Sequence, residues 1–164
     1  MSEEPRLRVP PHDNLAEQSV LGALLVDNRA WDVVGDRLTA EDFYVIEHRE
    51  IYTTITRLLL ANRAADAITV LEAGKHEHDY VAALSMCVPS ARNAGHYAEI
   101  VRRHAVLRRV IALADNLAGD AFRQGADAHK LIDGAVTELL ALQQAHQTGE
   151  PELLDALLPP FIDG

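Results

Sequence analysis

Residues 93–122 read NAGHYAEIVRRHAVLRRVIALADNLAGDAF, and this stretch decides the architecture. Tyr97, Ile100, Val101, His104, Leu107, Ile111, Ala114, Ala118 and Ala121 return at intervals of three and four. That spacing puts them on one stripe of a helix. Arg102, Arg103, Arg108, Arg109 and Asp115 occupy the other faces, and no proline interrupts the run. At 1.5 Å per residue such a helix spans roughly 45 Å. That is longer than the body the preceding residues can build, so part of it must project or find a partner surface.

Beyond it, Gln124–Ala126 reads as a tight bend with Gly125 in the left-handed position. A return helix is expected from about Ala128 to Ala145, carrying Leu131, Ile132, Ala135, Val136, Leu139, Leu140 and Leu142. The two helices make an antiparallel hairpin over 93–147. Residues 148–164, with Gly149, Pro151, Pro159 and Pro160, read as a linker or tail.

Working back toward the N-terminus, 14–92 reads as a globular head of about five or six helices, preceded by an extended, proline-bearing leader over 1–13. Asn14 is the expected cap of a helix over about 15–27, with Glu17 at the reciprocal capping-box position. Asn28 is expected to cap a short helix closed by Gly35, and Thr39 with Asp42 marks a turn. A third helix is expected over about 47–61, stopped by Asn62. A short piece over 66–73, capped by Thr69, ends at Gly74. A helix over about 79–87 should pack Tyr80, Val81, Leu84 and Met86. Trp31, the one tryptophan, is expected in the core near Leu24 and Leu25 and against Phe43 or Ile51. The predicted fold class is all-α: a small helical head followed by a long antiparallel hairpin.

Hydrophobic residues make up 48% of the 164, enough for a core, and aromatics only 5%, so that core is aliphatic. The net charge of −10 argues against gripping a phosphate backbone. With one cysteine, Cys87, no intrachain disulfide is possible, and a reducing cytoplasm is the expected home. No apolar run suits a signal segment or a membrane span.

Catalytic chemistry is not expected. Gly74-Lys75 imitates the end of a phosphate-binding loop, but Thr69 and His76 stand where a glycine and a hydroxyl residue are required. His76, His78 and Asp79 lack the cysteine pairs of a structural zinc site, and no metal or cofactor is expected. His104 is read as a packed or interface histidine, and the arginines at 102, 103, 108 and 109 as a solvated face rather than a nucleic-acid grip.

The blocks VPPHDNLAEQSVLGALLVDN (9–28), Trp31-Asp32, Asp42-Phe43-Tyr44, His48-Arg49 with Ile51-Tyr52, Ala65-Asp66 with Thr69-Val70, Pro89-Ser90-Ala91 with Asn93, and Tyr97-Ala98-Glu99-Ile100-Val101 resemble, in order, the N-terminal domain of DnaB-type replicative DNA helicases. The resemblance covers about residues 9–145. Between Leu71 and Tyr80 the chain is about a dozen residues shorter than the family pattern, which puts a partner site there in question. None of these blocks belongs to the family's motor domain, and ATP and Mg would be expected in that domain alone.

The resemblance implies a non-catalytic assembly domain acting in DNA replication and the primosome. Such domains pair through their hairpins, as a dimer or a trimer of dimers, into the collar of a hexameric helicase, and dock primase or a helicase loader. The alternative is a stand-alone adaptor or regulator that co-assembles with a replicative helicase. On the hairpin, Ile100, His104, Leu107, Ile111, Ala114, Leu139 and Leu142 are the expected dimer interface, and Glu17, Tyr97, Arg102 and Arg103 are expected partner contacts. Neither strong DNA binding nor membrane attachment is expected.

Overall fold

The computed structural model describes residues 8–147. It contains α1 (Asn14–Val26), α2 (Trp31–Val34), α3 (Ile46–Leu60), α4 (Ala67–Ala73), α5 (His78–Met86), α6 (Ala94–Ala121) and α7 (Ala128–Gln147). Three 3-10 turns, at Asn28–Ala30, Ala40–Asp42 and Ala91–Asn93, link them. No strand occurs among the described residues, so the all-α expectation holds. The expected leader up to residue 7 and the expected tail from 148 lie outside the described residues.

Local chemistry sets the helix ends. The cap of α1 is Asp13, one residue earlier than expected, its carboxylate accepting from the Ala16 N–H. This shift removes Glu17 from the reciprocal position. Helix α3 ends in a full Schellman closure: Asn62 adopts φ 56°, its N–H donates to Leu59 O, and the Arg63 N–H donates to Leu58 O. The cap of α4 is Asp66, with Thr69 as its reciprocal partner rather than the cap itself. Asn28 does not cap a helix either. Its side-chain amide donates to Leu24 O and Ala65 O and accepts from the Ala65 N–H, stapling the end of α1 to the connection before α4. Gly125 sits at φ 80°, and Asp127 caps α7 through the His129 and Lys130 N–H groups.

The chain divides into two compact units, Met1–Arg108 and Arg109–Gly164. The first is built on α1, whose Val20, Leu21, Ala23 and Leu24 are wholly buried with Phe43, Ile51, Ile55, Val70 and Val81. A Cβ on Gly22 would collide with Leu84 O and the Val88 side chain, so glycine lets α5 lie against α1 at backbone distance. The base of α6 belongs to this unit because Ala94, Ala98, Val101 and Ala105 are buried in it. The inward face is therefore mostly alanine, with Val101 the one larger residue buried there.

Trp31 is half-buried. Its ring lies 6.0 Å from Tyr52 and close over Gly35, so it packs against the core from its edge rather than inside it. Met86 is 86% exposed rather than packed, and Cys87 is a free, exposed thiol at the end of α5. No helix among the described residues is long and apolar enough to cross a membrane.

Candidate functional site

Polar residues at inward positions assemble a buried cluster in the first unit. Glu17, 1% exposed, comes from α1, His48 from α3 and Tyr80 from α5. The Glu17 carboxylate accepts from the Tyr44 N–H, the Val45 N–H at 3.4 Å and His48 Nδ1 at 2.6 Å. A carboxylate only accepts, so Nδ1 carries the proton, and in the neutral ring Nε2 is left as acceptor for the Tyr80 hydroxyl at 2.5 Å. Gln18 Nε2 donates to the same phenol oxygen at 3.3 Å. Burial raises the Tyr80 pKa, and the carboxylates of Glu47 and Glu17 add to the rise against the Gln18 bond, so the phenol keeps its proton. The chain of bonds has one direction throughout and places a carboxylate at the amino end of α3, where the helix dipole favours an anion.

This arrangement resembles a catalytic acid–histidine pair in its parts, yet the group beyond His48 is a phenol held in its protonated form. The chemistry it performs is structural: three helices and the entry to α3 share one set of hydrogen bonds. Glu17, expected as a partner contact, is therefore corrected to an interior residue, because a side chain with 1% exposure presents no surface.

A second set of bonds fastens α6. Arg102 Nη1 donates to Arg37 O at 2.7 Å and lies 3.8 Å from the buried Asp42 carboxylate. Asp42 also accepts from the Thr39 N–H. Arg108 donates to Pro11 O and Asp42 O, and its guanidinium lies over the Tyr44 ring, on which His12 stacks at 4.1 Å. Arg102 and Arg108 thus serve the interior rather than a solvated face, which corrects the reading of all four arginines as one group. Arg103 is exposed, whereas Tyr97 is half-buried against the core.

The expected hairpin residues divide similarly. Ile100 packs partly on the core, and His104 turns its Nδ1 to Ile100 O of its own helix at 2.8 Å. Leu107 is 47% exposed at the end of the first unit. In the second unit Ile111, Ile132, Val136, Leu139 and Leu140 are each 46–59% exposed, Ala114 is exposed and Leu142 half-buried. Val110, Ile132, Val136 and Leu140 add exposed apolar surface outside the expected interface set. Among the described residues no three potential metal ligands converge, and His76 bonds Thr54 instead.

The family model described as the DnaB-like helicase N terminal domain matches residues 9–103. The replicative DNA helicase DnaB of Haemophilus influenzae is 33% identical over 152 residues, covering 87% of this chain and 32% of that protein. That of Mycobacterium leprae is 34% identical over 166 residues, covering 95% of this chain and 28% of that protein. The chain thus spans about a third of the length of these relatives. Among solved structures, the N-terminal domain of DnaB helicase from Mycobacterium tuberculosis matches with TM-score 0.72 and 34% identity, over 80% of this chain and 99% of that one. A DnaB-like replicative helicase, solved for its interactions with primase, shares the fold at TM-score 0.65 and 24% identity, over 79% of this chain and 31% of that one.

Proposed function

The chain belongs to the DnaB-like helicase N-terminal domain family, and from that premise we propose that it is a non-catalytic assembly domain of a replicative helicase. It pairs with a second copy through its hairpin, contributes to the collar of a hexameric ring, and receives primase or a loader. The observation that carries this reading is the exposed apolar surface of the second unit, where Ile111, Ile132, Val136, Leu139 and Leu140 stay about half in water. Fully burying such a side chain stabilises by roughly 1.5–3 kcal/mol. A two-fold contact lets one patch cover its own copy, the commonest solution for a homo-oligomer. The structural neighbour solved for its primase interactions supports the partner class.

Sedimentation of the purified chain tests this. A dimer is expected, with Leu139→Glu and Ile111→Glu each giving folded monomers. A wild-type chain that stays monomeric at high concentration refutes the self-pairing. ATP hydrolysis by the chain alone is not expected, since no stretch of the sequence has the phosphate-loop spacing.

A further inference from the structure

The outer face of α3 carries Ile46, Glu50, Thr53, Arg57 and Leu60, all exposed and spaced by three and four, so they form one stripe. Its ends are apolar, Ile46 being 69% and Leu60 71% exposed. Its middle borders an open cleft of about 520 Å³ lined by Arg49, Glu50, Thr53, Thr54, Arg57, Ala73, Gly74, Lys75 and His76. Three cations meet one carboxylate there, whereas the whole chain has 15 Lys and Arg against 25 Asp and Glu. The local balance is the reverse of the global one.

The two arginines are held in place without neutralisation. Arg57 Nη2 donates to Ala73 O at 2.7 Å and Arg49 Nε to Phe43 O at 2.6 Å, each bond going to a backbone carbonyl. Among the described residues neither arginine nor Lys75 forms an ion pair. The short connection between α4 and α5 forms one wall, and a Cβ on Gly74 would collide with the His76 ring and Thr54 Oγ1. That glycine keeps the wall thin and the cleft open.

We propose that the α3 stripe and the Arg49–Arg57–Lys75 cleft form a docking surface for an acidic peptide segment with apolar residues, supplied by a partner protein. Its carboxylates meet the cations, and its apolar side chains cover Ile46 and Leu60. The exposed apolar ends favour this occupant over a small oxyanion, which would leave them in water. The net charge of −10 disfavours a nucleic-acid strand, which would extend past three cations onto acidic surface. The surface rests on the reading of the chain as a docking domain, but it does not depend on hairpin pairing.

Fluorescence anisotropy on the full chain tests it, with a short fluorescein-labelled peptide of Glu and Leu, a Lys and Leu peptide of equal length, and an oligothymidylate. The Glu and Leu peptide should bind at low salt and weaken as salt rises. Lys75→Glu, at an exposed side chain with no bond to the interior, should weaken it by about tenfold, and Arg57→Glu by at least as much. Ile46→Ser should weaken binding without changing its salt dependence. No binding of the acidic peptide, equal binding of the basic one, preference for the oligonucleotide, or indifference to Lys75→Glu overturns the proposal. Sedimentation of the same samples separates the two readings: a dimer that ignores the acidic peptide sinks this surface and leaves the assembly role standing.

Discussion

Replacing Glu17 by alanine should nearly unfold the first unit. Its carboxylate accepts from two backbone N–H groups and from His48 Nδ1, all at a site with 1% exposure. Removing it orphans three donors at the entry to α3. A buried donor left without a partner costs about 1–3 kcal/mol, so three together cost about 3–9 kcal/mol. Water entering the vacated volume offsets part of the sum, so the net loss is expected at about 3–5 kcal/mol. Domains of this size are stable by about 5–15 kcal/mol, so the variant stands near its threshold. Glu17→Gln keeps the volume and one acceptor oxygen but turns an amide N–H toward a donor, and should lose less, about 2 kcal/mol. Urea melts followed by the single Trp31, half-buried on this unit, measure both variants. Pairing Glu17→Gln with His48→Gln in a double-mutant cycle should give a coupling above about 1 kcal/mol. A Glu17→Ala midpoint within about 1 kcal/mol of wild type would refute the reasoning, since only a solvated carboxylate could be dispensed with so cheaply.

Gly22→Ala should destabilise the first unit by about 1–3 kcal/mol in the same melts, because the methyl group meets Leu84 O and Val88 across the α1–α5 contact. Asn62→Gly should preserve stability while Asn62→Val lowers it by about 1 kcal/mol or more, since the Schellman closure of α3 needs the left-handed backbone at φ 56°. Burial, and after it the Asp42 charge, raises the Tyr52 pKa above its ordinary value of 10.0. The unfolded chain then loses this proton first, so stability is full below about pH 10 and falls as pH rises toward the raised folded value. Alkaline melts should show that fall, and Tyr52→Phe should flatten it.

Helix existence was legible because it depends on local spacing and on single residues. Gly125 and Asn62 were readable as stops since few side chains tolerate positive φ. Glu17 was misread for the same reason that the others were read correctly. A local rule assigned it to the capping box of its own helix, while its partner His48 lies 31 positions away. A signal was nonetheless present. Glu17 stands at helical spacing from Val20, Leu21 and Leu24, and His48 from Ile51, Tyr52 and Ile55, all of them buried. A polar residue on an apolar stripe must either face water or meet another such residue inside. Two of them on neighbouring helices pointed to a pair, and only the tertiary fold could say which.

The sequence reading of α6 picked out its long helix and its large apolar residues but not Ala98 and Ala105, which bury against the head. Periodicity weights Leu107 and Ile111 above Ala98 and Ala105, yet the alanines are the buried ones and the large residues are about half exposed. A small side chain lets a helix approach a packed head closely, and Arg102 and Arg108 then tie it to the carbonyls of Arg37, Pro11 and Asp42. Large apolar residues on the remaining faces contribute little to that attachment. Leaving them half in water costs a lone domain solubility, which natural surfaces avoid unless the patch has a use. The head is therefore held by alanine and arginine, while the leucine and isoleucine of α6 and α7 stay available. This is the pattern expected where a domain's own stability and its assembly with a second copy rely on different side chains. Substitution at Ala98 should accordingly disturb folding, and substitution at Leu139 only association.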